Sequence, residues 1–330
     1  MRPVEWTDPR TVAEAVAALP GGGVIKAGGV DLADLMKEGI AAPQRLVNLR
    51  TVRGLDVIEE DREIGGLRFG PLVTLARLAA EPMVRRRFRA LADAAGHAAT
   101  PQIRNMATLA GNLLQRPRCW YFRSEAFPCL RKGGNHCFAI EGENAYHAVF
   151  GNTFCAIVHP SATAVALVAL DARLTIAGPN GIREARLESL FVRPEQDVMR
   201  EHSLAPGEVI TAVRVPGLPP GAASAYTKLG EKESFDWPLA EAACVLERAG
   251  GKCTRASVVL GAAAPVPWRV PKAEEALTGQ PLGEETARLA AKAALHGATP
   301  LSGNAYKVAL LETIVGRTIL AAMMEKEEAR

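Results

Sequence analysis

The sequence predicts a mixed α+β chain of more than one domain, and three observations carry that expectation. Its 330 residues exceed the ~150 that one domain usually organises. Short apolar strands alternate with helix-spaced segments, without internal repeats. A tract that breaks the alternation, Pro216-Gly217-Leu218-Pro219-Pro220-Gly221, marks a boundary between units 1–220 and 221–330. With 48% apolar and 23% charged residues the balance is globular, which excludes wholesale disorder.

The elements follow in order. Val24-Ile25-Lys26 reads as a strand, Ala27-Gly28-Gly29-Val30-Asp31 as a glycine turn, 32–37 as a helix and 45–49 as a second strand. Residues 55–58 and 67–69 form a hairpin about an acidic turn, and 75–99 follows as one helix. Beyond the stretch 100–112 lies a long loop, then a helix over 162–170. A hairpin of 173–176 and 183–187 turns at Pro179-Asn180-Gly181. The second unit places strands at 225–228, 239–246 and 256–260 beside helices at 271–277, 284–295 and 305–324, an α+β arrangement.

Charge and hydropathy narrow the function. Lys+Arg 39 against Asp+Glu 36 leaves +3, spread without a basic block, so no nucleic-acid-binding face is expected. The longest apolar run, 164–170, is seven residues, far short of the ~20 that span a bilayer. The opening Met1-Arg2-Pro3-Val4-Glu5-Trp6 carries an acid and a proline where a signal peptide needs an apolar stretch. A cytoplasmic chain is expected, periplasmic only if exported with a signal-bearing partner subunit.

Cys119, Cys129, Cys137 and Cys155 fall in a loop over 115–158, separated by nine, seven and seventeen residues. No tight C-x2–4-C knuckle of the kind zinc favours is present. Long gaps suit a larger object whose metal corners stand ångströms apart, such as an iron–sulfur cluster. Spacing alone leaves cluster, zinc and unliganded structural cysteines all open. A loop this long needs an organiser, which bound metal would supply. Cys244 and Cys253 lie in apolar strands and read as small buried hydrophobes.

Two glycine turns could hold an anion on bare backbone N–H groups. Ala27-Gly28-Gly29-Val30-Asp31 follows a strand and opens a helix; Thr108-Leu109-Ala110-Gly111-Asn112 is the other. Neither is a G-x-G-x-x-G or P-loop motif. Together they could cradle a diphosphate from two sides.

The segments Lys26-Ala27-Gly28-Gly29-Val30-Asp31-Leu32 and Ile103-Arg104-Asn105-Met106-Ala107-Thr108-Leu109-Ala110-Gly111-Asn112 resemble the two FAD-cradling motifs of the molybdenum hydroxylase flavin subunits. That family includes xanthine and carbon monoxide dehydrogenases. The likeness continues through Tyr226-Thr227-Lys228, Ser234-Phe235-Asp236-Trp237-Pro238-Leu239 and the run from Gly297 to Lys307. Arg118-Cys119-Trp120-Tyr121-Phe122-Arg123, Pro128-Cys129, Cys137 and Cys155-Ala156-Ile157-Val158-His159-Pro160-Ser161 resemble one branch, the aldehyde oxidoreductase and 4-hydroxybenzoyl-CoA reductase flavin subunits.

The resemblance implies a two-lobed FAD-binding domain of the vanillyl-alcohol-oxidase (PCMH) type. Its lobes would be about 1–53 and 54–220, followed by a carbon monoxide dehydrogenase flavoprotein-type α+β domain over 221–330. It implies FAD on the two turns, backbone N–H groups and Thr108 holding the diphosphate, and Ser161 and Lys228 near the flavin or its ribityl chain. Within the motifs, Lys26, Ala27, Gly28, Gly29, Val30, Asp31, Leu32, Ile103, Arg104, Thr108, Gly111 and Asn112 would contact the cofactor. A [4Fe-4S] cluster would sit on Cys119, Cys129, Cys137 and Cys155. Expected partners are a molybdenum-cofactor large subunit, a [2Fe-2S] small subunit and ferredoxin or another electron acceptor; substrate oxidation would occur on the large subunit. This chain departs from the motifs at Val30, Ala110 and Ala162, and Ala110 fits a glycine position only at negative φ. The rivals are a stand-alone flavin oxidoreductase and a zinc-stapled scaffold without redox function.

Overall fold

The computed structural model describes residues 3–232 and 234–325; Met1 and Arg2 of the N-terminal reading, and 326–330 of the second unit, lie outside them. Three sheets organise the described residues. The first contains β1 (Glu5–Thr7), β2 (Gly23–Lys26) and β3 (Arg45–Asn48), all parallel, in the order β1-β3-β2. Parallel neighbours need crossovers, supplied by helices Val12–Ala17 and Val30–Lys37. The second sheet is antiparallel: β4 (Ile58–Asp61), β5 (Gly66–Phe69), β6 (Arg173–Gly178), β7 (Gly181–Arg186) and β8 (Val209–Val215), in the order β4-β5-β8-β6-β7. The third runs β12-β11-β10-β9, from β9 (Ala223–Leu229), β10 (Ala240–Ala249), β11 (Lys252–Gly261) and β12 (Trp268–Arg269). Helices Pro271–Leu277, Glu284–Ala294 and Tyr306–Met324 accompany it and share its core, so the expected α+β class holds.

Two expectations need correction. The hairpin forms, but its first strand is Ile58–Asp61 rather than 55–58, so Glu59, Glu60 and Asp61 are in the strand and only Glu63 is in the turn. Arg68 lies opposite Glu59 and bonds it at 2.7 Å, and Arg214 of β8 takes Asp61; pairing of charge offsets the lost apolar alternation. The single helix over 75–99 is three, Leu75–Ala80, Pro82–Arg87 and Arg89–Gly96. Pro82 lacks an N–H and starts a new helix, and buried Phe88 sits at φ −141° and ψ 60°, which ends it. Strands β1 and β8 and the helix Val12–Ala17 were not anticipated.

Helix Ala162–Ala169 is buried at every position, as an apolar helix wrapped on all sides must be. It belongs to a core that takes Leu67 and Phe69 of β5, Val213 of β8, and also Tyr226, Ala243 and Val259 of the third sheet. No helix of the described residues is long and apolar enough to cross a membrane.

Arg214 is the main polar pin of the second sheet. It bonds Asp61 at 2.6 and 3.0 Å, Glu63 at 2.6 Å and Glu184 at 2.7 Å. The Arg214 hydrogen bonds hold Asp61 below the usual carboxylate range. A depressed carboxylate stabilises the fold above its unfolded pKa, about 3.9, and that contribution fades as pH falls through the lower folded value. Asp61→Asn is therefore expected to cost about 2 kcal/mol at neutral pH, the worth of a charge-assisted hydrogen bond. Urea melts of both proteins should converge in acid; a constant gap across pH would contradict this account.

Candidate functional site

Strand β2 delivers Lys26 to the first turn. Gly29 adopts φ +79° as the N-cap of Val30–Lys37, a conformation that suits glycine. At Gly28 the demand is space: a Cβ there would lie 2.0 Å from the Met106 carbonyl oxygen. The two glycine-bearing segments, distant in sequence, thus touch backbone to backbone.

The second segment is a pair of short capped helices. Thr100 Oγ1 accepts from the Ile103 N–H (3.3 Å) ahead of Pro101–Met106, and Thr108 Oγ1 from the Gly111 N–H (3.3 Å) ahead of Leu109–Leu113. Ala110 lies inside the latter helix at negative φ, which accommodates its methyl. Asn112 Oδ1 accepts from Ser161 Oγ and Thr163 Oγ1, both at 2.6 Å, while Ser161 Oγ caps Ala162–Ala169 through the Ala164 N–H at 3.0 Å. The Ser161 N–H donates to Nδ1 of His159, whose complete burial lowers its pKa to about 3 and keeps it neutral.

Large apolar side chains are left open around this junction: Val24, Val30, Ile103 and Met106 are each 37–42% exposed. Exposed apolar side chains grouped beside paired glycine turns suit a ligand with a flat organic part. Cations frame them. Burial, and then the Arg50 charge, lower the Lys26 pKa, and Arg50 Nη1 reaches Met106 Sδ at 3.9 Å. In the second unit, Lys228 gives two of its three N–H bonds to the carbonyls of His97 (3.1 Å) and Asp236 (2.6 Å), and burial lowers its pKa. Its cross-strand neighbour Glu241 is fully buried, pushed up to about 7 by desolvation and bonded by the Tyr226 hydroxyl. Phe235 and Trp237 reach back from the second unit. The Arg104 guanidinium stands 5.9 Å from the Phe235 ring and Arg118 5.0 Å from Trp237. Arg104 also donates to the carbonyls of Ala98 and Ala99.

Asp31 has a different occupation. Its Oδ1 takes Arg118 at 2.7 Å and Arg123 at 2.8 Å, and its Oδ2 takes the Arg116 N–H at 2.8 Å. Helix Val30–Lys37, with half-buried Leu32 in its first turn, is thereby bolted to the cysteine loop through Asp31. Arg123 extends the tie to Asp34 and Glu38.

The loop's four cysteines line one cavity with Tyr121, Phe122, Arg131, Phe138 and His147. None forms a disulfide. The neighbouring Cys155 draws the Cys137 thiol below its usual range; Cys155 is pushed up, first by Cys137 and then by burial. Burial raises Cys119 to about 11. Backbone N–H groups of Tyr121 and Phe122 point at Cys119, those of Ala139 and Ala156 at Cys137, and that of Ile157 at Cys155. Arg131, 2% exposed, bonds Glu201 at 3.0 Å and places its charge beside Cys155. Tyr121 packs between Phe127 and Phe138, with its hydroxyl accepting the Glu143 N–H at 2.7 Å. Among the described residues, no group of three or more His, Cys, Asp or Glu is arranged to hold a metal ion. The expected ligands share a cavity without converging on one point.

Sequence reasoning missed Arg50, Arg131 and the Arg118–Trp237 contact. Arg131, lying between two of the cysteines, was the one with a readable signal. Arg50 gave none, because only the fold carries it to Met106.

Paired glycine turns in backbone contact, beside open apolar side chains, fit the class of dinucleotide-binding proteins. Residues 2–218 match the FAD binding domain in molybdopterin dehydrogenase, and 224–322 the CO dehydrogenase flavoprotein C-terminal domain. The chain is 36% identical over 320 residues to the aldehyde oxidoreductase FAD-binding subunit PaoB of Escherichia coli K12, covering 96% of this chain and 95% of that one. It is 28% identical to the carbon monoxide dehydrogenase medium chain of Hydrogenophaga pseudoflava, covering 96% of each. A solved structure of carbon monoxide dehydrogenase from that organism matches with TM-score 0.75 and 29% identity, over 98% of this chain and 99% of that chain. The chain belongs to the FAD-binding subunits of the molybdenum hydroxylases, and is an oxidoreductase subunit.

Proposed function

We propose that this chain relays electrons between partner-borne [2Fe-2S] clusters, FAD and a [4Fe-4S] cluster of its own, and passes them to an external acceptor. The carrying observation is that the two glycine turns touch at Gly28 and Met106 while Asp31, on the helix springing from the first turn, grips the cysteine loop. In this reading the diphosphate of FAD rests on 26–32 and 103–112, and the flavin lies toward Lys228 and Ser161. The donors are Thr108 and the N–H groups that open helix Val30–Lys37, which no side chain caps; the N–H groups of Ile103, Arg104, Leu109, Ala110, Gly111 and Asn112 are taken within the protein. When bound, FAD exchanges electrons singly or in pairs, which suits it to join one-electron carriers to a two-electron reaction. Lys228, fixed by two carbonyls, presents a cation where electron density would rise, favouring a reduced, anionic ring.

The donor set suits a cluster. Four buried or half-buried sulfurs ring a cavity, backbone N–H groups face three of them, and Arg131 offsets negative charge. Sulfurs around a space, rather than on a point, match a cubane better than a single zinc ion. Tyr121, Phe122 and Phe138 would exclude water from it. Lobes of about 1–53 and 54–220 and the unit 221–330 complete the reading. Partners would be a molybdenum large subunit, which oxidises the organic substrate, and a [2Fe-2S] small subunit, with ferredoxin or a similar carrier as acceptor. The complex would be cytoplasmic, or periplasmic if a partner carries the signal.

Anaerobic purification tests this. The expected product is yellow-brown, with equimolar FAD and with iron and acid-labile sulfide at cubane stoichiometry. A colourless protein containing zinc would select the scaffold. Flavin without iron, with turnover in isolation, would select a stand-alone oxidoreductase.

A further inference from the structure

We infer that His147 donates its Nε2–H to the Cys119 sulfur and thereby raises the reduction potential of the metal centre on the four cysteines. The inference rests on the cluster reading above and deepens it. His147 Nε2 lies 3.2 Å from Cys119 Sγ, within reach of a hydrogen bond. The ring is 3% exposed, and Trp120 meets it edge-on at 5.0 Å. Its backbone is held from several sides. The His147 N–H donates to the Asn144 carbonyl at 3.0 Å, and its own carbonyl accepts from Asn304 Nδ2 at 3.1 Å and Lys307 Nζ at 3.0 Å. Lys307 is itself fully buried and donates also to the Ala262 carbonyl at 2.6 Å. Two buried side chains of the second unit thus help to fix the backbone at His147.

A thiolate can only accept, so the nitrogen facing Cys119 must carry the proton. Apart from the Arg131 guanidinium beside Cys155, the N–H groups otherwise directed at the cysteines come from the backbone; the imidazole is a side-chain donor, which substitution can remove. Reduction of a cluster adds negative charge to its ligand sulfurs, and a fixed N–H stabilises that charge more in the reduced state. The donor therefore favours reduction, and its loss makes reduction harder. This is a positioning and tuning role: no proton moves.

The test uses the full chain purified anaerobically, with iron content and an EPR-monitored redox titration of wild type, His147→Leu and His147→Gln. Leucine removes the donor, and glutamine restores an N–H near the same place. His147→Leu is expected to keep its iron while its reduction equilibrium constant falls about tenfold, a shift of about 59 mV for one electron. His147→Gln should recover most of the difference. Iron lost in the leucine variant but kept in the glutamine variant, at near wild-type potential, would equally support a donor. An unchanged potential in iron-replete His147→Leu would overturn the inference, and so would loss of iron from both variants, which would make the ring a packing element. Wild type without a cluster would defeat the cluster reading and this inference with it; a wild-type cluster indifferent to the substitution would defeat the inference alone.

Discussion

Gly28→Ala is expected to strip the chain of most of its FAD. The added methyl would stand 2.0 Å from the Met106 carbonyl oxygen and 2.9 Å from its carbon. Both are backbone atoms and cannot swing aside, so the two turns must part. Overpacking of this kind costs roughly 1–3 kcal/mol. If the strain falls on the diphosphate cradle, affinity drops about tenfold for each 1.4 kcal/mol. The FAD-to-protein ratio after gel filtration, and titration of FAD into the stripped chain, measure it. Gly283→Ala is the control: that backbone is extended and nothing lies within 4 Å of the added carbon. Equal FAD retention in the two variants would show that the contact at Gly28 has no part in holding the cofactor.

Cys137→Ser should remove the iron and leave the flavin. The serine hydroxyl is a poor substitute for a thiolate toward iron, and the residue sits where the loop enters helix Phe138–Glu141. The glycine turns are braced independently, by the Gly28–Met106 contact and by Asn112 with Ser161 and Thr163. None of the four loop cysteines belongs to the main core. The expected variant is therefore yellow rather than brown, with near-wild-type far-UV circular dichroism and faster proteolysis within 115–158. Iron retained at the wild-type level would show that the ligand set is wrong.

Much of the fold was legible because local chemistry decided it. Pro271 at the first turn of its helix, the Pro179-Asn180 hairpin turn and the apolar run over 162–169 each left one reading open. What failed depended on distant partners. The acidic β4 is a strand because Arg68 and Arg214 come to it from β5 and β8, which no local pattern reports. At the site, motif likeness placed Gly28 and Thr108 together, and the structure supplies the reason at Gly28, a close approach rather than an unusual φ. Asp31 shows the limit of motif transfer. It lies in the motif, yet its carboxylate serves three groups of the cysteine loop. Lone cations such as Arg50 acquire meaning only once the chain is folded.

The wholly enclosed helix Ala162–Ala169 has a consequence for how such a subunit can be inherited. Its flanks press on side chains from before and after the Pro216–Gly221 hinge tract alike. Fragments divided there would each bare an oily wound, so shuffling of the two halves between genes should be disfavoured unless the packing faces travel along as a matched set.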